Sequence, residues 1–188
     1  MRRLVAVVVP LVLAIAACGG DDDEATPTGT GADGLAFVGG DVGDGQPIDP
    51  VHTCDGNNIS PALDWVGLPE GTAELALIVV DPDAPGGTFT HWVVYAIPPD
   101  STGLPRGVPP GPAVSGGLTL RQGLNDGSDT PGYTGPCPPE GEHGYVFTLY
   151  ALDAETGLEG GATVDDLRDA IEGHVLAEAA LTAPYARP

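Results

Sequence analysis

The stretch Leu75-Ala76-Leu77-Ile78-Val79-Val80-Asp81-Pro82-Asp83-Ala84-Pro85 decides the fold. An unbroken apolar run, β-branched toward its end, leads into an acidic corner stiffened by proline. A run this short, bounded by turn residues, predicts a strand, and its lack of polar alternation predicts a sheet covered on both faces. Trp92-Val93-Val94-Tyr95-Ala96-Ile97 and Tyr145-Val146-Phe147-Thr148-Leu149-Tyr150-Ala151-Leu152 read the same way. The chain has 29 glycines and 20 prolines, a content that alone would suggest disorder. They fall between the apolar runs, as turn residues should, and Pro105, Pro109, Pro110 and Pro112 predict one extended surface loop.

A helix signal comes late. Thr163-Val164-Asp165-Asp166 reads as a capping box with Asp in place of Glu or Gln. Leu167, Ile171 and Val175 follow at intervals of four, and Ala170, Ala177, Ala179 and Ala180 add helix propensity. Gly173 interrupts this pattern and is placed to divide the helix. The expected class is mostly β with a C-terminal helix.

The first 17 residues read as a lipoprotein signal peptide. Arg2 and Arg3 precede an apolar run from Leu4 to Ala17, too short for a membrane span, which needs about 20 residues. Small residues before Cys18 suit lipoprotein processing, with Cys18 as the lipidated residue, against the alternative of an ordinary secretory signal. Residues 18–34, rich in Gly, Asp and Thr, then read as a flexible acidic tether, and 35–188 as one domain. The expected location is the extracytoplasmic face of a cell membrane.

Charge excludes one partner class. Of 6 Lys+Arg against 27 Asp+Glu, none is lysine, and cleavage before Cys18 removes Arg2 and Arg3. Nucleic acid needs clustered cations that this chain lacks.

Chemistry-bearing side chains gather at strand ends. Asp81 and Asp83 stand on the Asp-Pro-Asp-Ala-Pro85 corner, and His91 returns from the following loop. Gly132-Tyr-Thr-Gly135-Pro136-Cys137-Pro-Pro139 forms a second rigid loop leading to His143 and Tyr145, which share a face if the segment is a strand. Each feature alone is commonplace; their convergence suggests a site.

These motifs, with His91-Trp-Val-Val-Tyr-Ala-Ile-Pro98 and Cys54-Asp-Gly-Asn-Asn-Ile-Ser-Pro61, resemble the phosphatidylethanolamine-binding protein family. The tail Ala170-Ile-Glu-Gly-His174-Val-Leu-Ala177 is similar to its bacterial, Raf kinase inhibitor-like branch. The resemblance runs from Leu35 to Tyr185. It implies a Greek-key fold with a large central sheet, a smaller sheet and C-terminal helices. It also implies a pocket for phosphate, phosphorylethanolamine or acetate, with ligand-binding residues Asp81, Asp83, Pro85, His91, Gly135, Pro136, His143 and Tyr145. The family fold would further bring the loops of Cys54 and Cys137 together, leaving either a disulfide bracing the pocket or two unpaired thiols.

The expected function is therefore a binding module for a small anionic or zwitterionic ligand, not an enzyme, with no cofactor. The alternative is a divalent-metal hydrolase using Asp81, Asp83, His91 and His143, although neither H-E-x-x-H nor G-x-S-x-G occurs. Kinase or protease inhibition would rest on analogy alone, since the loop between Pro85 and His91 is shorter than in eukaryotic members. No protein partner is legible. The anchor reading has a direct test: wild-type protein should partition with membranes and carry more than one acyl chain, because one chain holds weakly. Cys18→Ser should be soluble and unlipidated; a wholly soluble wild type would refute the reading.

Overall fold

The computed structural model describes residues 29–30, 34–116 and 118–188. The signal peptide, Cys18 and the tether up to residue 28 lie outside the described residues. In chain order the strands are β1 (Gly29–Thr30), β2 (Ala36–Gly40), β3 (Leu63–Val66), β4 (Glu74–Asp81), β5 (Phe89–Ile97), β6 (Gly103–Leu104), β7 (Ala113–Val114), β8 (Leu120–Gln122), β9 (Glu142–Leu152) and β10 (Val175–Ala186), with one helix, α1 (Val164–Ile171). β1 falls within the stretch read as tether and pairs with β2.

The strands form a six-stranded sheet in the order β10-β9-β4-β5-β8-β7 and a four-stranded sheet in the order β1-β2-β3-β6. All pairings are antiparallel. β9 returns past β8 and β5 to lie on the far side of β4, the Greek-key arrangement. Because successive side chains of a strand face opposite ways, β4 feeds two cores. Leu75, Leu77 and Val79 join Phe37, Leu63 and Trp65 of the smaller sheet, while Ala76 and Ile78 pack with Val93, Tyr95 and the helix residues Leu167 and Ile171. This is the two-faced burial that the unbroken apolar run predicts.

The C-terminal reading needs correction. The helix starts as expected, with the Thr163–Asp166 capping box present, but it stops at Ile171. Gly173 takes a left-handed φ of +80°, and Val175 onward is strand, not a continuing or second helix. Ala177, Ala179, Leu181, Ala183 and Tyr185 are buried in alternation with exposed or half-buried neighbours. Intrinsic alanine helicity is worth only tenths of a kcal/mol per residue, less than a full ladder of hydrogen bonds to β9 and burial of the alanine face. Pro184 is tolerated because β10 is an edge strand whose outer side meets the loop before residue 50: Gly45 N–H donates to Thr182 O (2.8 Å) and Ile48 N–H to Pro184 O (2.9 Å). The proline-rich connection is mostly exposed but is pinned by buried Val108, whose N–H donates to Ser60 Oγ at 2.8 Å.

Two bulges interrupt the β4–β5 ladder, between Leu75 and Leu77 and between Val79 and Val80. At the first, Ala96 takes φ +53° and its N–H donates to Glu74 Oε1 at 2.9 Å. Glu74 is buried and also accepts from Thr156 Oγ1 (2.8 Å) and Thr156 N–H (3.1 Å). Glu74→Ala would strand these donors, at a cost of about 2–4 kcal/mol. Urea unfolding should register the loss, and an unchanged midpoint would show that the carboxylate does not hold the bulge.

Candidate functional site

The second bulge creates the site. The ladder pairs Val79 with Trp92 and Val80 with Thr90, so His91 is the extra residue. Two positions before Val93, it would otherwise face the helix side with Val93 and Tyr95. The bulge instead turns it inward, where its ring meets Tyr145 edge-on at a centroid distance of 5.1 Å. Asp81 continues the inner face of β4, and His143 and Tyr145 continue that of β9. The expected convergence is thus present in three adjacent strands.

His143 donates from Nδ1 to Asp81 Oδ2 at 2.7 Å. The other Asp81 oxygen accepts the Asp83 N–H at 2.8 Å, so both oxygens are engaged. Asp83 is more exposed and accepts the Gly144 N–H at 2.9 Å. His91 Nδ1 donates to Thr134 O at 2.7 Å, leaving Nε2 as an acceptor in the neutral ring. Burial lowers the His91 pKa below its ordinary value, opposed by the Thr134 hydrogen bond and the charge of Asp81. The Tyr145 hydroxyl is buried and makes no regular hydrogen bond among the described residues, the Cys137 N–H being the backbone donor turned toward it. Burial and, secondarily, Asp81 push that phenol above its usual range, so it stays protonated.

These groups border a cavity of about 350 Å³ lined by Asp81, His91, His143, Thr134, Gly135, Gly127 and Cys137, with an apolar wall of Ala84, Pro85, Phe89, Pro138 and Pro139. Asp83, Pro136 and Tyr145 are not part of the lining. Of the residues the resemblance implies, Gly135 lines the cavity while its N–H donates to Asn58 Oδ1 (2.7 Å), and Pro136 O accepts from Cys54 N–H (3.0 Å). Glycine is required at 135 because a Cβ there would stand 2.4 Å from His52 O. Cys54 and Cys137 are joined in a disulfide with Cα atoms 5.4 Å apart. Closing a loop of 83 residues in this way contributes about 4–5 kcal/mol at most in the chain-entropy model.

Sequence reasoning missed Phe89, Thr134 and Asp126. Asp126 fixes the start of β5 by accepting the Thr90 N–H at 2.6 Å and donating its own N–H to Thr90 O at 2.9 Å. The Asn125-Asp126-Gly127 turn signal could have marked it. Among the described residues, no three His, Cys, Asp or Glu side chains are arranged to hold a metal ion. The hydrolase alternative therefore has no ligand set there.

Comparison with known proteins agrees with this fold. Residues 39–186 match the model of the family "Phosphatidylethanolamine-binding protein", and the chain belongs to that family. A "UPF0098 protein" of Methanothermobacter thermautotrophicus is 54% identical over 136 residues, spanning 72% of this chain and 88% of the relative. The crystal structure of a phosphatidylethanolamine-binding protein homologue from Chlamydia trachomatis superposes with a TM-score of 0.74 at 33% identity, covering 84% of this chain and all of that one. E. coli YbcL, described as a new member of the mammalian family, gives 0.69 at 28% identity, covering 86% and 99%.

The buried His91 makes stability depend on pH. Its pKa in the folded protein lies below the ordinary 6.5, so as pH falls from about 6.5 the unfolded chain takes up the proton first. The stability contributed by neutral His91 is present above 6.5 and is lost as pH drops toward the folded value. Urea midpoints at pH 7 and pH 5 should differ more for wild type than for His91→Gln. Equal differences would mean that burial does not hold His91 neutral.

Proposed function

We propose that this chain binds a small organic anion or zwitterion, a phosphate monoester or a phosphorylethanolamine-like headgroup, in the cavity above Tyr145. The observation that carries this reading is the convergence of His91 and the Asp81–His143 pair in the cavity lining, both imidazoles being oriented by bonds from Nδ1. His143, oriented through Nδ1, offers Nε2 to a ligand and donates a charge-assisted hydrogen bond when protonated. Neutral His91 offers an acceptor. No lysine or arginine lines the cavity, and two carboxylates stand near it, so a bare phosphate dianion is poorly served. A ligand that brings its own donor, a phosphate hydroxyl or an ammonium, matches the mixed set. The apolar wall around Phe89 suits a short organic group attached to the anion.

Binding rather than catalysis fits the lining, which holds no serine and whose one cysteine is bridged. With Cys18 lipidated, the domain would work close to a membrane surface, where such headgroups are concentrated. His143→Ala should weaken calorimetric binding of phosphorylethanolamine by about 1.5–3 kcal/mol, the worth of a hydrogen bond to a charged group. A titration indistinguishable from wild type would move the site elsewhere.

A further inference from the structure

The disulfide sits where chemistry from outside can reach it. Cys54 and Cys137 are both exposed, and Cys137 lines the cavity. The two loops it joins have other ties, but these lie before residue 137: Tyr133 Oη donates to His52 O (2.7 Å), Gly135 N–H to Asn58 Oδ1 and Cys54 N–H to Pro136 O. From Cys137 to Gly141 the chain makes no hydrogen bond or ion pair among the described residues, apart from the approach of the Cys137 N–H to Tyr145. Regular pairing resumes at Glu142, opposite Ala186. This five-residue segment supplies Pro138 and Pro139 to the cavity. It also separates the cavity from a second hollow of about 520 Å³, lined by Asp55, Glu140, Gly141 and Arg187. The outer wall of the pocket is therefore held by one covalent bond and by the packing of buried Pro138.

We propose that the Cys54–Cys137 bridge is a reversible thiol–disulfide site through which an external dithiol controls the pocket. A thiolate of the dithiol attacks one sulfur, the S–S bond breaks and a mixed disulfide forms. The second thiol of the reductant then displaces it. The protein gains two electrons and two protons as two thiols, and the dithiol leaves as its own disulfide. Exposed bridges are the ones open to such exchange. Once reduced, residues 137–141 lose their anchor, and a ligand must order the wall as it binds, which weakens affinity.

The effect on affinity rests on the ligand reading above; the release of the wall does not. The test compares intact bridged protein with protein kept reduced in dithiothreitol, using NMR backbone order parameters of the Cys137, Glu140 and Gly141 amides and titration with phosphorylethanolamine. Order parameters at these amides should fall from about 0.85 to below about 0.6 on reduction, with β4 and β9 unchanged. Affinity should fall about tenfold, and oxidised glutathione should restore both. The Cys54→Ser/Cys137→Ser double variant should match the reduced protein in both redox conditions. Equal order parameters in the two states overturn the proposal, as does a fall spread through β4 and β9, which would mean general unfolding. If bridged protein takes up no phosphorylethanolamine while the order parameters still respond to redox state, the ligand reading alone fails.

Discussion

The pairing of β4 with β5 is the constraint on which the site depends. Regular antiparallel pairing would send His91 to the helix-covered face and leave Asp81, His143 and Tyr145 without a fourth partner. One extra residue in the ladder changes the side to which the histidine points. The hydrogen bonds lost at a bulge need replacements, and each bulge has a carboxylate at hand: Glu74 on Ala96 and Asp126 on Thr90. The same sheet can therefore be regular where it packs and irregular where it borders the cavity.

Electrostatics impose a second economy. Arg106, Arg121, Arg168 and Arg187 each face a carboxylate, respectively Asp41, Glu159, Asp165 and Asp55. The Arg106 guanidinium holds Asp41 down at about pKa 2. With every arginine of the described domain engaged and none lining the cavity, the binding we propose would fall to imidazole and whatever proton the ligand carries, and would favour ligands with both donors and acceptors over those with charge alone.

Much of this was legible beforehand, for identifiable reasons. The three long strands announce themselves because burial on both faces leaves no room for polar residues. The shared face of His143 and Tyr145 follows from the two-residue period of a strand. The C-terminal strand was misread because its alanines favour helix locally, and only the waiting edge of β9 makes them a strand. The bulge at His91 has no local signature, since it arises from the register between two segments. The loop contacts that occupy the Gly135 N–H and the Pro136 carbonyl depend on Asn58 and Cys54, far away in sequence, and no spacing rule reports them.

The Greek-key order has a consequence for how the protein comes into being. β4 has β5 beside it in sequence, but its other neighbour, β9, is distant: Asp81 and His143 are 62 residues apart. During synthesis this apolar strand must wait, one flank unpaired, until β9 has emerged. Contacts so far apart slow folding, and they make pocket assembly a late event. A chain cut short before residue 143 could form the β4–β5 hairpin but could not bring the two halves of the Asp81–His143 pair together, so a completed pocket is itself a report that the whole domain has been made.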